Sequence, residues 1–145
     1  MIREIHSDEL EELLGLYTYL HNNDMPLMNK TIRDIWKDIM EDSRHHIIVA
    51  KESNQLISSC VLIIVPNLTH GQRPFGVIEN VITHPEYRKM GYAGACLEYA
   101  KELGKKAGCY KLMLMTGSKE ESTLSFYEKS GYNKKDKTAF IQWLN

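Results

Sequence analysis

The feature that most constrains the fold is a change of hydrophobic period in the second half of the chain. Residues 75–83 form an apolar, β-branched run, which predicts a strand. Over residues 91–107 apolar side chains recur every three or four positions with charges on the other side, and Gly108 follows as a stop. This pattern predicts a helix. A second apolar run over residues 110–116 then predicts two parallel strands joined by a right-handed helical crossover.

The rest of the chain predicts further strands and helices around this crossover. Strands are expected over residues 1–5, 46–51, 56–65 and 139–144, and helices after Ser7, after Thr31 and over residues 120–130. Ser7 is expected to cap the first helix, and Thr31 with Asp34 resembles a capping box at the start of the second. The prediction is one α/β domain over residues 1–145, a mixed sheet with helices on both faces.

Length and composition exclude several classes of protein. The chain has 145 residues, 26% of them charged, and a net charge of −1, which suits one globular domain and disfavours a disordered chain or one that coats nucleic acid. Cys60, Cys96 and Cys109 are odd in number and far apart, so we expect buried free thiols, with neither a disulfide framework nor a metal site. The sequence shows neither a signal peptide nor an apolar run long enough to span a membrane, and we expect a cytoplasmic protein.

One loop carries a candidate anion site. Directly before the predicted helix 91–107 stand Arg88, Lys89, Met90, Gly91, Tyr92, Ala93 and Gly94. Small residues allow a ligand to approach the backbone closely, and the unpaired N–H groups at a helix start favour negative charge. Two cationic side chains stand beside them. Taken alone, an ordinary glycine-containing turn between a strand and a helix explains this loop at least as well.

Two motifs together resemble a known family. Arg88-x-x-Gly91-x-Ala93 is similar to the Q/R-x-x-G-x-G/A loop of the GNAT superfamily of acyl-CoA-dependent N-acyltransferases. Residues 125–132, Ser-Phe-Tyr-Glu-Lys-Ser-Gly-Tyr, resemble that family's F-Y-E-K-x-G-[FY] segment. The two motifs stand in the family's order, with one predicted helix and one predicted strand between them. The similarity extends over residues 75–145, and the order of elements agrees from residue 1.

The resemblance implies a fold and a donor substrate, acetyl-CoA. The fold is a central mixed, mostly antiparallel twisted sheet in which the strands 75–83 and 110–116 splay apart. Backbone amides of residues 90–94 would hold the pyrophosphate, and no metal is implied. The amide-bearing pantetheine arm would pair with the strand edge at Val81, Ile82 and Thr83, with the N–H of Val81 as a candidate oxyanion donor.

The resemblance also implies catalytic residues for direct attack of an amine through a tetrahedral intermediate. Tyr127 aligns with the tyrosine that protonates the departing thiolate, although a tyrosine here also suits a helix packed on the core. Glu79 stands where relatives carry a carboxylate that acts on the amine directly or through water. Its alternative role is to attract a cationic acceptor at the rim. His84 is the next candidate base, but its position before Pro85 favours a turn residue.

The sequence leaves the acceptor open. Relatives often place an Asn that contacts the cofactor at the position of Glu120, an acidic residue that is a poor partner for phosphate. The expected acceptor is a small molecule with a primary amine, bound over residues 22–30 and 66–74. The alternatives are a protein or peptide acetyltransferase and a regulatory module that binds acyl-CoA without turnover. The apolar run 139–144 also predicts a homodimer.

Overall fold

The computed structural model describes residues 1–20 and 24–145, and they form one sheet with helices on both sides. The strands are β1 (Ile2–Glu4), β2 (His45–Glu52), β3 (Gln55–Val65), β4 (Phe75–Thr83) and β5 (Leu112–Leu114). The helices are α1 (Leu10–Tyr17), α2 (Lys30–Glu41), α3 (Tyr92–Lys106) and α4 (Glu121–Lys129). The strands lie in chain order, with every neighbouring pair antiparallel except the parallel pair β4–β5. The predicted mixed sheet and helical crossover are confirmed.

The strands predicted over residues 46–51 and 56–65 pair as the hairpin of β2 and β3. Ser53 and Asn54 form the turn with φ values of 46° and 65°. Such left-handed central residues match the right-handed twist of the flanking strands. The hairpin therefore sets the register of the longest strand pair in the sheet.

Two apolar clusters cover the two faces of the sheet. On the first face the buried residues of α3 pack on the central strands, joined by half-buried aromatic side chains of α4. Gly104 allows this close contact, since a Cβ there would lie 2.9 Å from Cδ2 of Leu112 in β5. On the second face Leu13 of α1 and Trp36 of α2 pack against Val49 and Val61. We call these the α3 face and the α1 face.

Both helix caps predicted for the α1 face are wrong. Helix α1 begins at Leu10, and Glu9 occupies the N-cap position without a side-chain cap. The Glu9 carboxylate accepts instead from the N–H of His6 and binds Arg3 and Lys51. The cap of α2 is Asn29, whose Oδ1 accepts from the N–H of Ile32 at 2.9 Å. Helix α1 thus has no side-chain cap, and at α2 Asn29 takes the role expected of Thr31.

The cap expected at Thr31 fails for a second local reason. Its partner Asp34 is held by the Nζ of Lys30 at 2.6 Å, one turn earlier in the helix. An ion pair between residues four apart on a helix is a normal stabilising contact. The helix starts at Lys30, one residue before Thr31, directly after the cap at Asn29.

The predicted strand 139–144 is wrong. Residues 133–145 are described throughout, and they contain neither helix nor strand. Phe140 is 91% exposed and Trp143 is 87% exposed. A high β-propensity forms a strand only where a neighbouring strand and a packing surface are available. Among the described residues, no strand pairs with the segment.

The prediction that all three cysteines are buried free thiols is confirmed for two of them. Cys60 and Cys96 are buried and Cys109 is partly exposed, and all three are free thiols. Burial raises the pKa of the Cys96 thiol to about 11. Both buried thiols are therefore part of the core of the α3 face. None of the helices in the described ranges is both long and apolar enough to cross a membrane.

Candidate active site

The start of α3 has the geometry of an anion site. Gly91 holds the N-cap position in the left-handed region, with φ 88° and ψ 2°, and no side chain caps the helix. The first N–H groups of a helix have no partner within the helix, and the positive end of its dipole lies there. A Cβ added at Gly91 would meet no atom within 4 Å, so the space beside Gly91 at the helix start is open.

Cationic side chains border this open space. Arg88 and Lys89 are exposed, and the Nε of Arg88 donates to the carbonyl oxygen of Thr83 at 3.2 Å. This hydrogen bond ties the loop to the end of β4. The uncapped helix start, the open space and the two cations together fit a phosphate group.

The edge of β4 beside this loop is open toward β5. Pairing with β5 ends at Ile78 opposite Leu114, whereas β4 continues to Thr83. The predicted splay of the parallel strands is thus confirmed. Backbone groups along residues 79–83 on this side have no ladder partner from β5. An extended ligand with amide groups can bind such an edge as an added strand.

The end of β4 is held firmly from the other side. The hydroxyl of Ser58 donates to the carbonyl oxygen of Ile82 at 3.0 Å and lies 2.8 Å from Oγ1 of Thr83. The N–H of His84 donates to the carbonyl oxygen of Ile57 at 2.7 Å. The open edge is therefore fixed in place before any ligand binds.

A β-bulge interrupts β4 in the middle of this edge. Glu79 faces Val61 on β3, but Ile82 faces Ser59, so β4 contains one extra residue. Asn80 has a φ of 50°. A bulge leaves its extra residue out of the ladder and bends the strand. It therefore changes the direction of backbone groups next to Val81, where the oxyanion donor is expected.

Tyr127 lies on the α3 face, half-buried among aromatic rings. Its ring centroid is 5.0 Å from that of Phe126 and 6.4 Å from that of Tyr132. Burial, and after it the nearby thiol of Cys60, raises the pKa of Tyr127. The phenol therefore keeps its proton at neutral pH and is able to donate it. Phe126 packs against the same cluster, so both rings contribute to the core.

Glu79 lies on the opposite face of the sheet. Its cross-strand partner Val61 belongs to the cluster under α1 and α2, and directly opposed residues share a face. The Glu79 side chain is exposed, so its charge remains in contact with water in mid-strand. The two candidate catalytic groups thus stand on opposite sides of the splay between β4 and β5.

Sequence reasoning missed two residues at this point. Tyr17, the last residue of α1, interacts with the side chains of Asn80 and Ser59, and burial raises its pKa to about 12. Tyr17 fitted the apolar stripe of α1 and so resembled an ordinary core position. For Asn80 a signal existed, because Asn is depleted in strands and tolerates a positive φ.

His84 has the role of a turn residue. It precedes a short 3-10 turn, and its Nδ1 accepts from the N–H of Glu86 at 3.2 Å. Its Nε2 is 3.4 Å from the hydroxyl of Tyr19. Both ring nitrogens therefore have partners, and the position before Pro85 predicts the turn role that the structure shows. A cavity of about 260 Å³ opens beside it on the α1 face, lined among others by Glu12, Tyr19, Gln55 and His84.

The structure describes only part of the expected cofactor contact near Glu120 and of the expected acceptor segment. Glu120 precedes α4, is exposed and caps nothing with its side chain. Its N–H donates to Oγ of Ser118 at 3.2 Å, so that hydroxyl already serves a local turn. Of the expected acceptor segment 22–30, residues 22 and 23 lie outside the described residues.

Comparisons with known proteins agree with this geometry. A family model described as the acetyltransferase (GNAT) family matches residues 3–132. The glucosamine 6-phosphate N-acetyltransferase of Trypanosoma brucei brucei is 36% identical over 80 residues, which cover 55% of this chain and 52%, about half, of that relative.

Solved structures extend the likeness to the whole chain. A protein of Agrobacterium tumefaciens str. C58, provisionally described as an acetyltransferase, is 31% identical with a TM-score of 0.90 over 99% of both chains. The glucosamine-6-phosphate N-acetyltransferase of Arabidopsis thaliana has a TM-score of 0.87 at 19% identity, over 100% of this chain and 98% of that one, a likeness of fold.

Proposed function

This chain belongs to the GNAT family of acyl-CoA-dependent acetyltransferases, and we propose that it transfers the acetyl group of acetyl-CoA to a primary amine of a small molecule. The observation that supports this most directly is the uncapped, glycine-led start of α3 beside the open edge of β4. Acetyl-CoA, when bound, supplies the activated thioester. The residues described below would bind it and move the protons.

The donor would be held by backbone more than by side chains. The N–H groups of residues 90–94 would bind the pyrophosphate, with Arg88 and Lys89 adding positive charge. The edge at Val81, Ile82 and Thr83 would pair with the amides of the pantetheine arm. Because Ser58 fixes the end of β4, this edge needs little reorganisation on binding.

Proton transfers would occur from the two faces of the sheet. Glu79 on the α1 face would take a proton from the amine directly or through water. Tyr127 on the α3 face would give a proton to the departing thiolate, and its raised pKa keeps that proton available. The N–H of Val81, beside the bulge, would stabilise the oxyanion formed between them.

The separation of Glu79 and Tyr127 favours two different residues as base and acid during direct attack of the amine. A residue that acts as both base and acid must reach both the amine and the sulfur. Here each side of the splay offers its own titratable group. Because the proposed base Glu79 is on the α1 face, the amine would approach over that face. The cavity beside Tyr19 and His84 opens on that same face.

The experiment that tests this function is acetyl-CoA consumption with a panel of acceptors, with the product identified by mass. Glucosamine 6-phosphate is the first acceptor to test, since the relative from Trypanosoma brucei brucei is named for it. Unphosphorylated glucosamine is the matched control for the phosphate, and polyamines and lysine peptides complete the panel. Turnover of a small amine supports the proposal.

Other outcomes of the same panel identify the alternatives. Turnover of peptides alone would indicate a protein acetyltransferase and overturn the small-molecule acceptor. Tight binding of acetyl-CoA by calorimetry with no turnover across the panel would indicate a binding module instead. A cytoplasmic location and a homodimer stay predictions.

A further inference from the structure

The β-bulge in β4 changes which side chains face the acceptor side of the sheet. Ile78 and Val81 both pack on the core of the α3 face, although they are three residues apart. Side chains of a regular strand alternate between the two faces, so this interval would put them on opposite faces. The extra residue of the bulge therefore places two consecutive side chains, Glu79 and Asn80, on the α1 face.

Asn80 has a backbone conformation that needs support. Its φ of 50° lies in the left-handed region, which Asn tolerates better than most residues but which still costs energy. Such a conformation persists where the surrounding structure fixes it. The Asn80 side chain is exposed, so its own burial in the core does not fix it.

Tyr17 contacts the bulge from the end of α1. Its ring packs on the apolar cluster of the α1 face, and its hydroxyl interacts with the side chains of Asn80 and Ser59. Ser59 is fully buried, and its own hydroxyl donates to the carbonyl oxygen of Ile48 at 2.9 Å. The phenol of Tyr17 thus joins the bulge in β4 to fixed groups of β3 and β2.

We propose that Tyr17 is a positioning residue for acetyl transfer, and that through the side chain of Asn80 it holds the bulge of β4 in place. This role rests on the proposed function, in which the N–H of Val81 stabilises the oxyanion and Glu79 takes a proton from the amine. Both residues are immediate neighbours of Asn80 in the chain, so a change in its φ turns them relative to each other. An oxyanion donor is effective only when it is fixed where the charge develops.

This role differs from that of a tyrosine that only fills the core. A purely apolar role of Tyr17 would survive replacement by Phe, because the ring and its buried area remain. The contact with Asn80 belongs to the hydroxyl and is lost in that replacement. Tyr17→Phe therefore separates the two roles at a single atom.

The first measurement needs neither acetyl-CoA nor an acceptor. The protein is labelled with ¹⁵N-valine, and the backbone amide of Val81 is followed by NMR. We expect Tyr17→Phe to shift and broaden this resonance, because the bulge then exchanges between conformations. Tyr99→Phe removes the hydroxyl of another half-buried tyrosine, on α3, and as the matched control should leave the Val81 amide unchanged. Circular dichroism confirms that each variant is folded.

The second measurement is kinetic and uses the acceptor that the panel identifies. Tyr17→Phe should lower kcat about 2- to 10-fold, the equivalent of one net hydrogen bond, with the affinity for acetyl-CoA unchanged. Asn80→Gly keeps the positive φ accessible and removes the side chain through which Tyr17 acts. In that background Tyr17→Phe should have no further effect on kcat, since residues that act as a unit are not additive.

Each other outcome overturns the positioning role. An unchanged Val81 amide in Tyr17→Phe shows that the bulge is held without the hydroxyl. An unchanged kcat, or a loss that is equally large in the Asn80→Gly background, shows that Tyr17 does not act through Asn80. An equal loss of acetyl-CoA affinity shows a general structural role. A wild-type protein without turnover would overturn the proposed function instead, and the Val81 amide would still decide whether Tyr17 holds the bulge.

Discussion

The two faces of the sheet differ in how tightly they are covered. On the α3 face Cys96, Leu97 and Ala100 are 0–2% exposed. On the α1 face, α2 has no buried residue, and its Ile35 is 53% exposed. The face expected to hold the common donor is thus fixed by dense packing. The face expected to receive the acceptor is less completely covered, because α2 leaves apolar side chains exposed.

The largest effect is expected at the start of α3. Gly91→Glu should abolish acetyl-CoA binding, because the carboxylate would repel the pyrophosphate and occupy the open space. Any side chain at a φ of 88° carries strain, so Gly91→Gln is the matched control for size and strain without charge. Calorimetric titration should show a greater loss for Glu than for Gln. Unchanged affinity of Gly91→Glu would show that the pyrophosphate binds elsewhere.

The next largest effect is expected for Tyr127, the proposed acid on the α3 face. Tyr127→Phe keeps the ring and removes the donor, so kcat should fall by about 10²–10⁴ while the affinity for acetyl-CoA stays similar. Tyr132→Phe removes a neighbouring hydroxyl from the same aromatic group and should leave kcat nearly unchanged. Steady-state and single-turnover kinetics measure both. If chemistry limits the rate and Tyr127→Phe retains full kcat, Tyr127 is not the acid.

The loss of stability on truncating an apolar side chain should differ between the two faces. Leu97→Ala, at 2% exposure, should cost about 2–5 kcal/mol of stability, since it leaves a cavity under α3. Ile35→Ala, on the outer side of α2, should change stability by less than about 0.5 kcal/mol. Denaturant unfolding followed by circular dichroism compares the two. Equal losses would contradict the uneven covering of the sheet.

The α1 face depends on charge at one buried point. Glu9 is 5% exposed, and hydrogen bonds from Arg3 are the main cause of its lowered pKa. Glu9→Gln should cost about 1.5–3 kcal/mol, because it removes the charge that accepts hydrogen bonds from the partly exposed side chains of Arg3 and Lys51. The exposed Glu11, the second residue of α1, provides the control Glu11→Gln, which should be close to neutral.

The same carboxylate gives a pH dependence with a definite sign. A folded-state pKa below the ordinary value of 4.5 contributes stability that is fully present above pH 4.5. This contribution is lost as the pH falls below that value, where the unfolded chain takes up a proton first. Unfolding measured from pH 6 down to pH 3 should show a steeper loss for wild type than for Glu9→Gln. Parallel curves would mean that the carboxylate is not held as the structure shows.

The smallest effect is expected for the exposed carboxylate of the acceptor face. Glu79→Gln should lower kcat by about tenfold at neutral pH, about 1.4 kcal/mol of barrier, because water can still reach the amine. Raising the pH should recover part of the rate as more acceptor arrives unprotonated. An effect on KM alone would show that Glu79 only attracts the acceptor. His84→Gln then tests the next candidate base.

The sequence predicts those features of the site that depend on residues close together in the chain. The loop from Arg88 to Gly94 was predicted as a unit, because a helix start with Gly91 at its cap is determined by neighbouring residues. The bulge at Asn80 was not, because it depends on the register between β3 and β4. The position of Tyr17 against that bulge was missed for the same reason.

The sequence by itself determined the bounds of β4, the helix α3 with its glycine stop, and the pair of motifs that indicate the family. These depend on period, capping and local backbone preference, which act over a few residues. Only the tertiary structure decided that Glu79 and Tyr127 stand on opposite faces and that residues 139–144 form no strand of the described sheet. Faces and strand partners depend on contacts between residues far apart in the chain, and a local pattern carries no information about which distant strand is available.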